Sequence, residues 1–284
     1  MSQPSILLTG ATGLFGRACL PHLIARHGAE QILALVRRGR DTSELAAMGV
    51  RSIEVDLCSL NLGLSSTSYR SLARSAASII HAAADIRFGI SLPESRRVNV
   101  LGTENVLHFA GHCPNLERFA QISTVYVSGG RPGEIREEAA QPGRFLNSYQ
   151  QTKFEAEQVT LAAMATIPAA IYRLSTMIYD SLARRVCQFN YFHQLLRLAA
   201  NNPLRSIPAL PTARIDLIAS DWAARVFDFL FADHWRPGNI FHLCAGLEHS
   251  LTIDELFGLT FDLLGASGTR PTIVTQREFD RHAG

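Results

Sequence analysis

The chain has 284 residues, 47% of them apolar, with a formal net charge of +2. This length suits one large α/β domain or one domain with a small appendage, and the near-balanced charge gives no general field for nucleic acid or a membrane surface. Five scattered cysteines (Cys19, Cys58, Cys113, Cys187, Cys244), no basic-then-apolar leader and no apolar run of ~18 residues argue against a disulfide framework, a metal site, a signal peptide and a membrane span, and for a cytoplasmic protein.

The predicted elements begin with a strand over residues 5–9. Further strands are expected over 31–36, 52–55, 78–82, 118–123 and 169–173. Most are rich in Ile, Leu, Val and Ala without polar alternation, as strands buried on both faces are. Helical periodicity fills the intervals, notably 14–27, 93–110 and 149–166. This alternation predicts an α/β fold, a doubly wound parallel sheet of the Rossmann type with right-handed crossovers. The pattern changes after Ser175. Residues 181–215 hold Arg184, Arg185, Arg197, Arg205 and Arg214 but no Asp or Glu, interleaved with Phe189, Tyr191, Phe192, Leu195, Leu196 and Leu198. Such a segment suits a phosphate-bearing acyl tail, or else an amphipathic helix whose apolar side is core. Asn201-Asn202-Pro203, Pro208 and Pro211 mark loops. A helix over 221–232, a strand over 239–243 and a helix over 253–264 follow. Residues 1–175 are expected to form the cofactor-binding Rossmann domain. Residues 176–284 are expected to form a small C-terminal substrate lobe that partly returns to the main sheet. The polar stretch 276–284 is expected to fray or to mark a shortened end.

Thr9-Gly10-Ala11-Thr12-Gly13-Leu14-Phe15-Gly16 sits between the first strand and the first helix. Gly10 permits the tight turn, Gly13 admits a pyrophosphate close to the backbone, and Gly16 lets helix and strand pack closely. The helix N-terminus then offers free N–H groups to phosphates. A lone glycine pattern is only a turn. The strand before it and the helix after it make a dinucleotide site, with Gly10, Thr12, Gly13, Leu14, Phe15 and Gly16 at the cofactor. At the end of the second strand, NAD-binding proteins place an acid for the ribose 2′-hydroxyl. Arg37 and Arg38 stand there instead. They suit the 2′-phosphate of NADP(H); the other reading is a solvated basic turn. Asp56 and Leu57, after the third strand, are placed to flank the adenine, although a surface loop also explains the aspartate.

Tyr149 and Lys153 open a helix four residues apart, on one face. An ammonium beside the phenol is expected to lower its pKa from about 10. Tyr149 can then exchange a proton with an alkoxide, and Lys153 can also reach ribose hydroxyls. Thr124, after Ser123, ends the fifth strand at the carboxyl edge where open α/β sheets bind ligands. Its hydroxyl can steady a carbonyl oxygen as charge develops. Each feature alone is common by chance. In this order, behind a glycine loop, they form a catalytic set.

In these motifs the chain resembles the extended branch of the short-chain dehydrogenase/reductase superfamily over nearly its whole length. The glycine loop, His81-Ala82-Ala83-Ala84, Asn99 in Val98-Asn99-Val100, Ser123-Thr124, and Tyr149 with Lys153 fall in that family's order. The resemblance implies that Thr124 polarises a carbonyl, Tyr149 is the acid/base, and Lys153 tunes it and binds ribose. It implies that Ala82, Ala83 and Ala84 line the cofactor cleft, and that Asn99, counted with the cofactor-binding residues, supports the central helix. Within the branch, Val36-Arg37-Arg38, the strings 81–88 and 122–129, Asn147-Ser148-Tyr149 and Ile215-Asp216-Leu217-Ile218 resemble the fatty acyl-CoA reductase and thioester reductase group. That implies an NADPH-dependent reductase of a small-molecule acyl thioester, carried on coenzyme A or an acyl carrier protein and released as aldehyde or alcohol. It also implies a homodimer through the helices 93–110 and 149–166. Two features depart from the group: Arg173-Leu174 replaces its Arg-Pro, and the chain is short. The alternative is a nucleotide-sugar epimerase or dehydratase with bound NAD(P), suggested by the string 214–221. Arg37-Arg38, and Val125-Tyr126 after the threonine, speak against it. A non-enzymatic redox sensor is a third reading, opposed by the intact Thr124, Tyr149 and Lys153.

Overall fold

The computed structural model describes residues 5–200, 206–210, 212–264 and 271–282. The expected apolar runs form strands because they are short, aliphatic and bounded by turn residues. They are β1 (Ile6–Thr9), β2 (Ile32–Arg37), β3 (Arg51–Val55), β4 (Ser78–His81), β5 (Arg118–Thr124) and β6 (Ala169–Leu174). Between them lie α1 (Leu14–His27), α2 (Ser43–Ala47), α3 (Ser66–Ser75), α4 (Leu92–Arg96), α5 (Gly102–Gly111) and α6 (Ser148–Ala163). Then follow β7 (Thr176–Tyr179), α7 (Tyr191–Ala200), β8 (Ser206–Pro208), β9 (Arg214–Ile215), β10 (Leu217–Ala219) and α8 (Ser220–Asp228). The chain continues through β11 (Ile240–Leu243), β12 (Leu251–Thr252), α9 (Ile253–Leu264), β13 (Thr272–Val274) and α10 (Gln276–His282). The helix expected over 93–110 is interrupted: a π-helical turn, Arg97–Leu101, separates α4 from α5. Such single-turn bulges leave the apolar period nearly intact and often accompany functional sites.

The chain divides into two compact units, Met1–Leu174 with Asp221–Leu243, and Ser175–Ser220 with Cys244–Gly284. The first holds a seven-stranded sheet in the order β11-β6-β5-β4-β1-β2-β3, parallel throughout. β1 is an interior strand, with Leu7 beside Leu33 of β2 on one side and Ile79 of β4 on the other. The strand order reverses there, so the carboxyl ends of β1 and β4 flank the crevice where such sheets bind ligands. Leu7, Leu33, Leu35, Ile79, Phe109 and Phe119 are buried together in the core. Each such side chain contributes about 1.5–3 kcal/mol when fully buried. Phe15 of α1 meets Phe227 of α8 edge-on at 5.1 Å.

In the second unit β7 pairs parallel with β10, β8 parallel with β13, and β9 antiparallel with β12. Ile207 and Phe257 form its small core, with Ile253, Phe261 and Ile273 against them. The expected loop Asn201-Asn202-Pro203, Arg205, Pro211 and the side chain of Leu198 lie outside the described residues. The polar end is not frayed from residue 276: α10 forms there, entered through a capping box. Thr275 Oγ1 accepts from Glu278 N, and the Glu278 carboxylate accepts from Thr275 N at 2.8 Å. Among the described residues no helix is long and apolar enough to cross a membrane, and no group of three His, Cys, Asp or Glu could hold a metal. Among the described residues no cysteine is in a disulfide; Cys19 and Cys113 are buried, and Cys58, Cys187 and Cys244 are half-buried.

Candidate active site

The glycine loop turns at Gly10, whose φ of +72° suits glycine. A Cβ there would stand 2.6 Å from the Ala82 carbonyl carbon, so the loop and the end of β4 meet backbone to backbone. A Cβ on Gly16 would clash with the Gly10 carbonyl and the Ala11 backbone. Gly13 caps α1 without a side chain, and the first turn carries no acidic residue. These N–H groups and the helix dipole therefore favour an anion. The Phe15 side chain packs inward, which leaves only its backbone for a phosphate.

At the end of β2, Gly39 (φ +69°) reverses the chain, and Arg40 N donates to the Arg37 carbonyl at 3.0 Å. Arg37 is exposed. The Arg38 side chain is 89% exposed, 3.8 Å from Glu54. Arg40, which no sequence motif singles out, returns to the glycine loop: its Nε donates to Thr12 Oγ1 at 3.1 Å. Thr12, Arg40, Arg17 and Ser43 line a cavity of about 300 Å³. A larger cleft of about 890 Å³ between α2, β3 and α3 is lined by none of the expected site residues. Asp56 is engaged by its own loop, accepting from Ser59 Oγ at 2.6 Å and Cys58 N at 3.0 Å. These bonds, Ser59 first, hold its carboxyl below the usual range. Leu57 is half-buried against the core.

Asn147 caps α6, its side chain accepting from Gln150 N at 2.9 Å, and so fixes the start of the helix that carries Tyr149 and Lys153. The Tyr149 hydroxyl stands close enough to Thr124, at the end of β5, to feel that side chain. Burial pushes the phenol up to about 12, and the neighbouring Thr124 side chain pulls it partly back. This is opposite to the downward shift expected from a neighbouring ammonium. Four residues along a helix align the side-chain stems but not their tips. Lys153 Nζ donates to the Ile122 carbonyl at 2.8 Å. Burial lowers Lys153 to about 8, opposed by Glu157 one turn on. Ser123 Oγ is buried without a hydrogen-bond partner among the described residues.

A buried polar chain joins these elements. Thr9 Oγ1 accepts from Ala82 N at 3.2 Å and Ala83 N at 3.1 Å, so its hydroxyl proton is left for His81 Nδ1, 2.8 Å away. His81 Nε2 then donates to Thr103 Oγ1 at 3.1 Å, and Thr103 donates to the Asn99 carbonyl at 2.7 Å. Asn99 Nδ2 reaches Thr152 Oγ1 of α6 at 3.0 Å. This ties the half-buried segment Ala82-Ala83-Ala84 to the helix of Tyr149. His81 is neutral here, lowered to about 3 first by burial and then by Lys153. An unfolded histidine binds a proton below about 6.5. The unfolded state therefore gains protons first, and stability present above pH 6.5 is lost as pH falls toward 3. Between pH 6.5 and 5 the loss from this group should be about 2 kcal/mol. Urea midpoints across that range should fall, and His81→Gln should flatten the fall. A wild-type midpoint constant from pH 7 to 5 would contradict this.

Residues 8–227 match the NAD-binding family model described as male sterility protein. The chain belongs to that family. The match spans the glycine loop, Thr124, Tyr149 and Lys153, and makes the chain an NAD(P)-binding Rossmann oxidoreductase of the extended short-chain dehydrogenase/reductase superfamily. This male sterility family member is 34% identical over 260 residues to a linear gramicidin synthase from Brevibacillus parabrevis. That match covers 84% of this chain but 5% of the relative, so the chain spans a small part of that protein. The terminal R domain from the myxalamid PKS-NRPS biosynthetic pathway superposes with a TM-score of 0.82 at 23% identity, covering 99% of this chain and 74% of that one. A dTDP-glucose 4,6-dehydratase from Streptomyces venezuelae with NAD bound gives 0.75 at 20% identity, covering 96% and 85%. At these identities the two structures establish the fold.

In this male sterility family member the arginine-rich segment divides. Arg184, Arg185 and Arg197 are exposed, as are Phe189 and Tyr191. Arg214 is tied to the Leu247 and Ser250 carbonyls of its own unit. Phe192 is buried. Asp216 accepts from Ala245 N at 3.0 Å and Gly246 N at 2.8 Å, so its motif clamps two chain segments of the second unit together.

Proposed function

We propose that this chain is an NADPH-dependent reductase of an acyl thioester carried on the phosphopantetheine arm of coenzyme A or a carrier protein. The observation that carries the reading is the placement of Thr124, at the carboxyl edge of β5, beside the buried Tyr149 of α6, with Lys153 one turn on along the same helix. The gramicidin synthase and R-domain likenesses support a carrier-borne substrate. Five scattered cysteines with no disulfide among the described residues support a reducing, cytoplasmic setting.

The residues fit a dinucleotide: the glycine cradle admits no Cβ at Gly10 or Gly16, and the α1 terminus is uncapped. Gly10, Thr12, Gly13 and the backbone of Leu14 and Phe15 would hold the pyrophosphate, Arg37 the 2′-phosphate, and Lys153 the ribose. A bound nicotinamide supplies hydride for the carbonyl carbon. Thr124 and Tyr149 hold the carbonyl oxygen, and Tyr149 donates its proton as charge develops there. A phenol pushed up to about 12 is fully protonated at neutral pH, as an acid must be. With a thioester, the thiohemiacetal then collapses to an aldehyde and a free thiol.

Two measurements test the reading. Wild type should bind NADPH at least tenfold more tightly than NADH. Arg37→Asp should weaken NADPH by roughly 10–100-fold, the loss of a charge-assisted hydrogen bond, and leave NADH unharmed. Fluorescence titration reads both, and equal wild-type affinities would remove the assignment. The substrate is tested with acyl-CoAs, acyl-pantetheines, free aldehydes and UDP-sugars. NADPH oxidation should require a thioester and release thiol. Interconversion of a UDP-sugar without net NADPH loss would instead make the chain an epimerase-type enzyme.

A further inference from the structure

The loop after β4 is pinned at both ends. At Asp85, Asn99 Oδ1 accepts from the backbone N–H at 2.7 Å, and Asn99 Nδ2 donates to the carbonyl at 3.0 Å. At Ile90, the carbonyl accepts from Ser148 Oγ at 2.9 Å, one residue before Tyr149. Ser91 then starts α4 with a capping box. Between the anchors Phe88 lays its ring along that of Tyr149, centroids 5.6 Å apart and planes 32° apart. Phe88 is half-buried, and Ile86 is 50% exposed. Arg87, between them, is turned back onto the Asp85 carboxylate, Nε to Oδ1 at 2.9 Å, so the loop neutralises its own charge.

We propose that this pinned segment is the acyl wall of the active site, and that Phe88 is its specificity-determining residue, selecting an apolar substituent on the reacting carbonyl. The inference rests on Thr124 and Tyr149 being the carbonyl-binding pair. An oxygen held by those hydroxyls places its carbon, and whatever that carbon bears, beside the Tyr149 ring and the residue packed on it. Ile86, Phe88 and Ile90 bring no side-chain hydrogen-bond donor or acceptor. Their surface rewards methylenes by about fourfold each when fully buried. It leaves sugar hydroxyls without partners, a discrimination of up to about a hundredfold. Rigid anchoring by Asn99 and Ser148 keeps the wall in register with Tyr149, since both anchors also fix the loop to the catalytic helix or its support.

The test is steady-state kinetics with NADPH for wild type, Phe88→Ala and Phe88→Leu. The substrates are acetyl-, hexanoyl- and dodecanoyl-CoA and the aldehydes of the same lengths. Wild-type kcat/KM should rise with chain length. Phe88→Ala should flatten that rise, losing at least tenfold more on the dodecanoyl than on the acetyl substrate, and Phe88→Leu should keep most of it. NADPH affinity should stay within twofold in all three. An equal loss at every length would make Phe88 a mere support for the Tyr149 ring and overturn the proposal, as would unchanged selectivity. The two series separate the readings. Aldehyde reduction alone, with a Phe88-dependent length preference, sinks the thioester reading and keeps the wall. Thioester reduction indifferent to Phe88 does the reverse. No reduction of either series sinks both.

Discussion

Tyr149→Phe should reduce turnover by roughly 10²–10⁴-fold, the range of positioned acid catalysis, while NADPH affinity stays within about twofold. The substitution removes one oxygen from a ring that otherwise packs unchanged against Phe88. The protein's stability should therefore hold. What is lost is the hydroxyl beside Thr124, and with it the proton donor. Lys153→Ala should behave differently, harming both turnover and cofactor affinity, because its Nζ, anchored to the Ile122 carbonyl two residues before Thr124, is the group proposed to hold the ribose. Single-turnover measurements with saturating NADPH isolate the chemical step. Near wild-type rates for Tyr149→Phe under those conditions would remove the tyrosine from the mechanism.

The glycine loop is legible in the sequence because its meaning is local. Three glycines, a strand before and a helix after follow one another within Ile6–His27, and the conformations they permit follow from the missing Cβ. The strands are legible for a similar reason, since an aliphatic run bounded by turns has few other uses. Arg40 is not, because its role depends on the reversal at Gly39 and a side-chain reach to Thr12 across 28 positions of sequence. The Tyr149 shift runs against expectation because spacing shows which side chains share a helix face but not which are desolvated. The π-helical turn at Arg97–Leu101 is hidden, since one inserted residue barely disturbs the period. Asp216 looks like part of a functional string, and in the fold its carboxylate is engaged by the N–H groups of Ala245 and Gly246. The capping box Thr275–Glu278 is written in the sequence but is masked by the polar residues of the tail around it.

Arg173 stands just before Leu174, the residue that departs from the Arg-Pro of the thioester reductase group, and it belongs to the most buried charge pair among the described residues. Arg173 is 1% exposed and Glu157 is 0% exposed, with Nη2 to Oε2 at 2.8 Å and Nε to Oε1 at 3.0 Å. The guanidinium also donates to the Glu138 carbonyl at 3.0 Å, the Arg136 carbonyl at 3.4 Å and His242 Nε2 at 3.1 Å. An arginine cannot accept, so the His242 proton sits on Nδ1. One side chain thus ties β6 to α6, to β11 and to the segment between Thr124 and Tyr149. Arg173→Met should destabilise the protein by about 3–5 kcal/mol, because it leaves the Glu157 carboxylate buried and unpaired. Glu157→Met should cost a similar amount by orphaning the guanidinium. The double variant should be less destabilised than the sum of the two, since neither charge remains, though the loop carbonyls still lose their donor. Urea unfolding of the four proteins gives the coupling. Limited proteolysis should show cleavage within residues 129–147 appearing first in Arg173→Met. Additive losses, or a single variant within about 1 kcal/mol of wild type, would mean that the pair stabilises nothing beyond its packing.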